Sequence, residues 1–219
     1  MVVVEGVERK VVRSMSAVRA GDMVEVADGG TARVACVVEI ERPASKEMVR
    51  FDGGLEITPR HPLRLDGRWR RPREVCEEVT GQGADSGCTA AELVSMEGDY
   101  TVYNLVLEGE GLSECGVGQT RVLLVNGVEC ATWGHGLKGD PVIEHGYFGS
   151  QRILRDLEAM DGYAEGYVYL HDGSFIRARA TGEVCGVVPL SVPKAMAALA
   201  EGSGGRGAVA VAVASGGGG

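Results

Sequence analysis

Short apolar runs separated by glycine-containing turns are the sequence feature that most limits the fold of this chain. The dipeptides Asp28-Gly29, Asp66-Gly67 and Asn126-Gly127 each stand between two runs that suit β-strands. Tight hairpin turns prefer Asn-Gly and Asp-Gly, because their central residues adopt positive φ angles. Up to about residue 131 the pattern therefore predicts antiparallel hairpins, with loops expected over residues 80–90 and 109–118.

After Gly136 the pattern indicates a mixture of helix and strand. Ser150 is placed to cap a helix that ends at Asp161-Gly162. The apolar residues of this helix would share one face: Ile153, Leu154, Leu157 and Met160. One more hairpin is predicted over residues 167–178, with its turn at Asp172-Gly173.

The end of the chain has low complexity. A short Ala-rich helix is predicted over residues 193–201, and the Gly, Ala, Val and Ser residues beyond it predict a disordered tail. We therefore divide the chain into a β domain over 1–136, an α+β extension over 137–200 and a tail over 201–219.

Charge and cysteine spacing exclude several classes of function. The 219 residues carry a formal net charge of −9, which argues against general binding of nucleic acid. The sequence contains neither a membrane-spanning apolar run nor a secretory signal, so we expect an intracellular, cytoplasmic protein without a membrane partner. The six cysteines include no C-x-x-C pair, so no metal site or cofactor is expected.

Thr58 and His61 are the residues that most strongly suggest chemistry. Pro59 and Pro62 restrict the backbone around them, which predicts a stiff, extended segment at the mouth of a hairpin. Such a segment could present a hydroxyl and an imidazole to a peptide bond in one orientation. The alternative is a proline-rich turn with an ordinary surface histidine.

Three blocks, in this order, resemble the Hint superfamily of hedgehog autoprocessing domains and inteins. The most similar type is Vint, a Hint domain of proteins that also carry a von Willebrand type A domain. The blocks are Val11 to Val24 with its Gly21-Asp22 turn, Thr58-x-x-His61, and Tyr103-Asn104-Leu105 followed by Leu124 to Gly136. The segment from Glu144 to Leu157 is similar to the Vint continuation, so the resemblance extends to about residue 160.

The resemblance implies an all-β, horseshoe-like fold of irregular antiparallel strands and a self-processing activity. In the family, a cysteine at the first position of the domain attacks the carbonyl that precedes it and forms a thioester. His61 would then hold or protonate the scissile nitrogen, and Thr58 would help to orient the same bond. The partner of the module would be its own flanking polypeptide, either an upstream segment or a von Willebrand type A domain.

Two departures from the family pattern qualify this expectation. The nucleophilic cysteine should lie upstream of Val2, whereas the first cysteine here is Cys36. A truncated or inactive module is therefore expected, and a catalytically dead Hint scaffold for protein interaction is the alternative. His135 is followed by Gly136 rather than asparagine, so cleavage is expected without intein-type splicing.

Other residues are open to two interpretations. Cys130 lies in a strand pattern and is expected in the core, with a second nucleophile as the alternative. His135 is either a junction histidine or a turn residue, and His145 and His171 are expected in surface or structural roles. The arginines between residues 60 and 73 predict a solvated hairpin balanced by glutamates, or else a site for an anionic partner. An unrelated β-barrel binding domain is a third interpretation of the whole chain.

Overall fold

The computed structural model describes residues 2–5, 10–41, 46–81, 91–108, 122–189 and 210–211. Its strands are β1 (Val2–Glu5), β2 (Lys10–Arg13), β3 (Met23–Glu25), β4 (Thr31–Glu41), β5 (Glu47–Phe51), β6 (Glu56–Ile57), β7 (Leu63–Leu65), β8 (Arg68–Arg70), β9 (Ala91–Ser95), β10 (Thr101–Leu107), β11 (Val122–Val125), β12 (Val128–Ala131), β13 (Tyr167–His171), β14 (Phe175–Arg177), β15 (Val184–Val187) and β16 (Ala210–Val211). Its helices are α1 (Pro72–Gly81) and α2 (Gln151–Glu158).

Most of the described strands belong to one large sheet. Its path runs β8-β7-β12-β11-β1-β3-β4-β10-β16-β6-β5-β9, with β2 beside β1 and β13 beside β4. Most neighbours are antiparallel, while β13 runs parallel to β4 and β16 runs parallel to β10 and β6. β14 and β15 form a separate pair. The predicted class, an all-β domain of irregular antiparallel strands with a small α+β extension, is confirmed.

The glycine turns lie where the sequence predicts them. Asp66 and Gly67 have φ angles of 50° and 75° between β7 and β8, and Asn126 and Gly127 have 52° and 79° between β11 and β12. Both central residues of each turn are thus left-handed, as type I′ turns require. The neighbouring strands β7 and β12 of these two hairpins pair with each other beside the candidate site described below.

Helix α2 also begins where it is predicted. The Ser150 hydroxyl accepts a hydrogen bond from the Arg152 N–H at 3.3 Å. The side chains of Ile153, Leu154 and Leu157 are buried, and Met160 is buried just beyond the end of the helix. A capped polar start and one apolar face therefore suffice to define this element.

Replacing Ser150 with alanine is expected to lower the free energy of unfolding by about 1 kcal/mol, because an N–H of the first helical turn loses its acceptor. Urea unfolding would measure the change. Ser150→Asp is the matched control, since aspartate also caps helices and should restore stability. Equal losses in the two variants would contradict the capping role.

Two predictions about secondary structure were wrong. The arginine-rich segment does not end as a hairpin, because Pro72 begins helix α1 and Glu74 accepts a hydrogen bond from the Arg71 N–H at 3.3 Å. Residues 167–178 do not form a hairpin either. A 3₁₀ turn over Asp172–Ser174 separates β13 from β14, and the two strands pair with β4 and β15 instead.

Several predicted segments lie largely outside the described residues. They include most of the loop over 80–90, whose residues 80 and 81 belong to α1, and the loop over 109–118. The helix over 193–201 and most of the tail are also outside, and two tail residues form β16 between β10 and β6.

The sheet separates two apolar cores. The first is built around Val2, Ile57, Leu63, Val125 and Cys130. The second contains Cys36 and Val38 of β4, Trp133, and the extension residues Tyr147, Phe148, Leu157 and Val168. Residues on both sides of position 136 thus share one core. In the part of the chain that is described, no helix is long and apolar enough to cross a membrane.

Candidate functional site

Thr58 and His61 begin and end a β-turn. The His61 N–H donates to the Thr58 carbonyl at 3.1 Å, and Pro59 occupies the second turn position, which its fixed φ suits. The expectation of an extended segment was therefore wrong. Both side chains of the motif are therefore carried by the same hydrogen-bonded turn.

Two further backbone hydrogen bonds fix this turn in the fold. The Pro59 carbonyl accepts from the Arg73 N–H in the first turn of α1 at 2.9 Å. The Pro62 carbonyl accepts from the Ala131 N–H at the end of β12 at 3.1 Å. The motif is thus held between a helix start and the closing hairpin, so its position depends on both.

Both motif side chains are buried. Thr58 is 4% exposed and His61 is 0% exposed, which excludes the alternative of an ordinary surface histidine. The flanking Ile57 and Leu63 are also buried, in the first core. Burying the polar atoms of a threonine and a histidine in an apolar region costs free energy unless those atoms form hydrogen bonds. We therefore regard the pair as the centre of the candidate site.

Strand order links the motif to the beginning of β1. In register, Val2 pairs with Val125 of β11, and Cys130 of β12 pairs with Leu63 of β7. The strands β7, β12, β11 and β1 are therefore consecutive neighbours in the sheet. His61 and Pro62 come directly before β7, so the motif and the start of β1 are linked by this row of strands. Val2 and Leu63 also share the first core. The resemblance required the chain start, His61 and the hairpin up to residue 136 to lie together, and this strand order joins all three.

Cys130 lies in the core beside the motif rather than at the surface. Burial raises the pKa of its thiol to about 12. A thiolate, not a thiol, is the reactive form of cysteine. The location of Cys130 therefore suits the expected core residue better than a second nucleophile.

The burial of Cys130 predicts slow alkylation of the folded protein. Iodoacetamide at pH 8 is expected to modify the partly exposed Cys185 well before Cys130, and peptide mass mapping would measure both. Urea-unfolded protein is the control, in which the two should react at similar rates. Equal reactivity in the folded protein would show that Cys130 is accessible.

His135 lies on the segment that connects the β11–β12 hairpin to the extension. Its Nδ1 accepts from the Leu137 N–H at 3.0 Å. Its ring packs over Gly149, where an added Cβ would lie 3.1 Å from the Cε1 and Nε2 atoms of His135. This geometry corresponds to the turn interpretation, and a junction role for His135 stays a prediction.

Two further buried polar residues received no role from the sequence. Thr132 is 2% exposed and follows the Ala131 that binds Pro62, and Asn104 is 0% exposed within β10. The Asn104 Oδ1 accepts from the Leu105 N–H at 2.8 Å. In the sequence, each is a polar residue within an otherwise apolar strand pattern. That pattern was the available signal that their polar side chains are buried.

The arginine-rich region is largely neutralised by carboxylates. Ion pairs join Arg71 to Glu74 at 2.9 Å, Arg70 to Glu78 at 2.5 Å and Arg64 to Glu129 at 3.4 Å. Arg73 pairs with Glu47. This pairing favours the interpretation of a balanced solvated surface over a site for an anionic partner.

Metal binding has no candidate in the described part of the chain. No group of three or more His, Cys, Asp or Glu side chains there is placed to hold an ion. Cys36, Cys76 and Cys130 are buried free thiols, and Cys88 and Cys115 lie outside the described residues.

Comparisons with known proteins give one family. The model of Vint, described as a Hint-domain, matches residues 2–186. Among solved structures, the MchDnaB-1 intein matches with a TM-score of 0.38 and 16% identity, covering 60% of this chain and 96% of its own. The Msm DnaB1 intein splicing domain bound with zinc matches with a TM-score of 0.34 and 14% identity, over 60% and 96%. No curated protein matches the chain.

Proposed function

Because the chain belongs to the Vint family of Hint domains, we propose that it is an autoprocessing module that cleaves the peptide bond ahead of its own first strand. The observation that carries this proposal is the arrangement around the first core. The start of β1, the β11–β12 hairpin and the buried Thr58–His61 turn are joined by continuous strand pairing.

The first step is an N–S acyl shift. A cysteine thiol ahead of β1 adds to the carbonyl carbon of the preceding residue and forms a C–S bond. The C–N bond then breaks, the amide nitrogen leaves as an amine, and the proton lost by the thiol is balanced by the proton gained by that amine. The product is a thioester, which water or another nucleophile resolves.

His61 is proposed to supply the proton to the leaving nitrogen. An amide nitrogen is a poor leaving group unless it is protonated as the tetrahedral intermediate collapses. The imidazole is suited to this transfer, and its fixed turn limits the orientations it can adopt. Thr58, at the other end of the turn, is proposed to hydrogen-bond the same junction and orient it.

The nucleophile is proposed to be a cysteine upstream of Val2. Cys36 and Cys130 are both buried, and burial raises the pKa of each thiol to about 12. Neither is therefore suited to attack. The partner of the reaction is the flanking polypeptide itself, an upstream segment or a von Willebrand type A domain in a longer protein.

A fusion protein tests the proposal. A reporter domain and a cysteine would be joined ahead of Val2 at several spacings, and release of the reporter by dithiothreitol would be followed by gel and mass spectrometry. We expect release at one spacing or more, and none from the matched fusions that carry alanine for cysteine. No release at any spacing would favour the interaction scaffold instead.

A further inference from the structure

His145 closes a turn by accepting hydrogen bonds rather than donating them. Its Nδ1 accepts from the N–H groups of Tyr147 and Phe148, each at 3.1 Å. A nitrogen that accepts two N–H groups carries no proton of its own, so the neutral ring has its hydrogen on Nε2. That Nε2 is buried and has no hydrogen-bond partner among the described residues.

The turn closed by His145 holds the segment that leaves the β11–β12 hairpin. The Phe148 carbonyl accepts from the Gly134 N–H at 2.8 Å, and the Gly149 carbonyl accepts from the Gly136 N–H at 2.9 Å. Three residues before Gly134, the Ala131 N–H binds Pro62 next to the candidate site. His145 is therefore connected to that site through the hydrogen bonds that Phe148 makes with it and with Gly134, and through the short stretch of chain from Gly134 back to Ala131.

Protonation of His145 would disrupt this turn. The imidazolium carries N–H groups on both nitrogens, so Nδ1 would oppose the two backbone donors that it now accepts from. The Phe148 ring, tilted by 49° at a centroid distance of 4.9 Å from the imidazole, would recover part of this loss through cation–π attraction. The opposed N–H donors and the burial of the charge favour the neutral ring in the folded protein.

The charged surroundings only partly offset these effects. Burial lowers the pKa of His145, and the carboxylate of Glu183 beside β15 raises it in part. From α2, Asp156 accepts from the Tyr147 hydroxyl at 2.6 Å and Arg152 lies over the Tyr147 ring. Within the same segment, the Glu144 carboxylate accepts from the Gly139 N–H at 2.6 Å.

We propose that His145 is a proton-sensitive latch, which at neutral pH holds the extension against the end of the β11–β12 hairpin and releases it on acidification. The direction follows from linkage. A histidine whose pKa is lower in the folded state binds its proton more readily when the latch is open. The contribution to stability is present above the ordinary pKa of about 6.5 and is lost as the pH falls from there through the folded-state pKa.

Hydrogen exchange of the amides of Gly134, Gly136, Tyr147 and Phe148 tests the latch. Below pH 6.5 we expect their opening equilibrium in the wild-type chain, corrected for intrinsic exchange, to rise by up to about tenfold per pH unit. His145→Asn should remove this pH dependence, because the Asn Oδ1 can accept the same bonds and does not titrate.

His171→Asn is the matched control. The Nδ1 of His171 accepts from the Gly173 N–H at 2.9 Å in the exposed turn after β13, so this variant should keep the wild-type pH dependence at residues 134–149. A wild-type chain without the rise, or an equal rise in His145→Asn, would overturn the proposal. If His145→Asn does not fold, NMR titration of the wild-type imidazole decides. The latch requires that the His145 ring and the four amides change with the same pH midpoint, and different midpoints would overturn it.

Discussion

His61→Ala is expected to slow release of the upstream segment by roughly 10²- to 10⁴-fold, the range contributed by a positioned general acid. The cause is chemical rather than structural: without the imidazole, the amide nitrogen must leave unprotonated or take its proton from a poorly placed donor. The measurement is the rate of thiol-induced release from the cysteine-bearing fusion, followed over time by intact mass.

Two controls separate catalysis from folding. His171→Asn changes the last residue of β13, which caps the 3₁₀ turn that follows, and should release the reporter at the wild-type rate. Because His61 is fully buried, alanine would also leave a cavity, so His61→Gln, which keeps most of the volume, should show a comparable loss of rate with a smaller change in unfolding midpoint. Wild-type release by both His61 variants would exclude a role for this residue.

Gly162→Ala is expected to lower the free energy of unfolding by about 2–5 kcal/mol, the sum of a left-handed backbone cost and an overpacking cost. Gly162 has a φ angle of 89°, and a Cβ added there would lie 2.2 Å from the Tyr167 carbonyl oxygen. That oxygen is a backbone atom, so the clash cannot be relieved by a change of rotamer. The loop between α2 and β13 would have to move.

Gly139→Ala is the matched control for this prediction. Gly139 has a similar φ angle of 94°, and a Cβ added there would meet nothing within 4 Å. Its alanine variant should therefore cost only about 1–2 kcal/mol, the backbone cost alone. Urea unfolding of both variants measures the difference. Equal losses would mean that the close approach of Gly162 to Tyr167 does not contribute to stability.

Local features of the fold could be predicted from the sequence because neighbouring residues encode them. The positive φ angles at Asp66-Gly67 and Asn126-Gly127 follow from residue type alone, and the Ser150 cap lies beside the helix that it begins. Helix α1 was missed although its signals are also local, a proline in its first turn and Glu74 after it. The arginines around it obscured the short amphipathic pattern.

Long-range pairing could not be predicted. β13 pairs in parallel with β4, so that Tyr167 lies opposite Val37 although the two residues are far apart in the chain. A hairpin with β14 was predicted because the two segments are neighbours in the sequence and Asp172-Gly173 lies between them. Packing of the extension onto β4, with Val168 and Leu170 in the second core, explains the different outcome.

The candidate site shows the same division between local and long-range information. Thr58 and His61 could be identified from their motif and its neighbouring blocks. Their burial depends on the pairing of Leu63 with Cys130, which joins segments distant in the sequence. Thr132 could be noticed as a polar residue in an apolar pattern, but its position beside this junction depends on the same long-range pairing.

The most direct test of autoprocessing is the intact mass of the natural polypeptide, measured before and after incubation with hydroxylamine, which attacks thioesters. The proposed function predicts two products: an upstream fragment that ends in a hydroxamate, and a downstream fragment that begins with a cysteine ahead of Val2. A polypeptide whose mass does not change, and in which no cysteine precedes Val2, would contradict it.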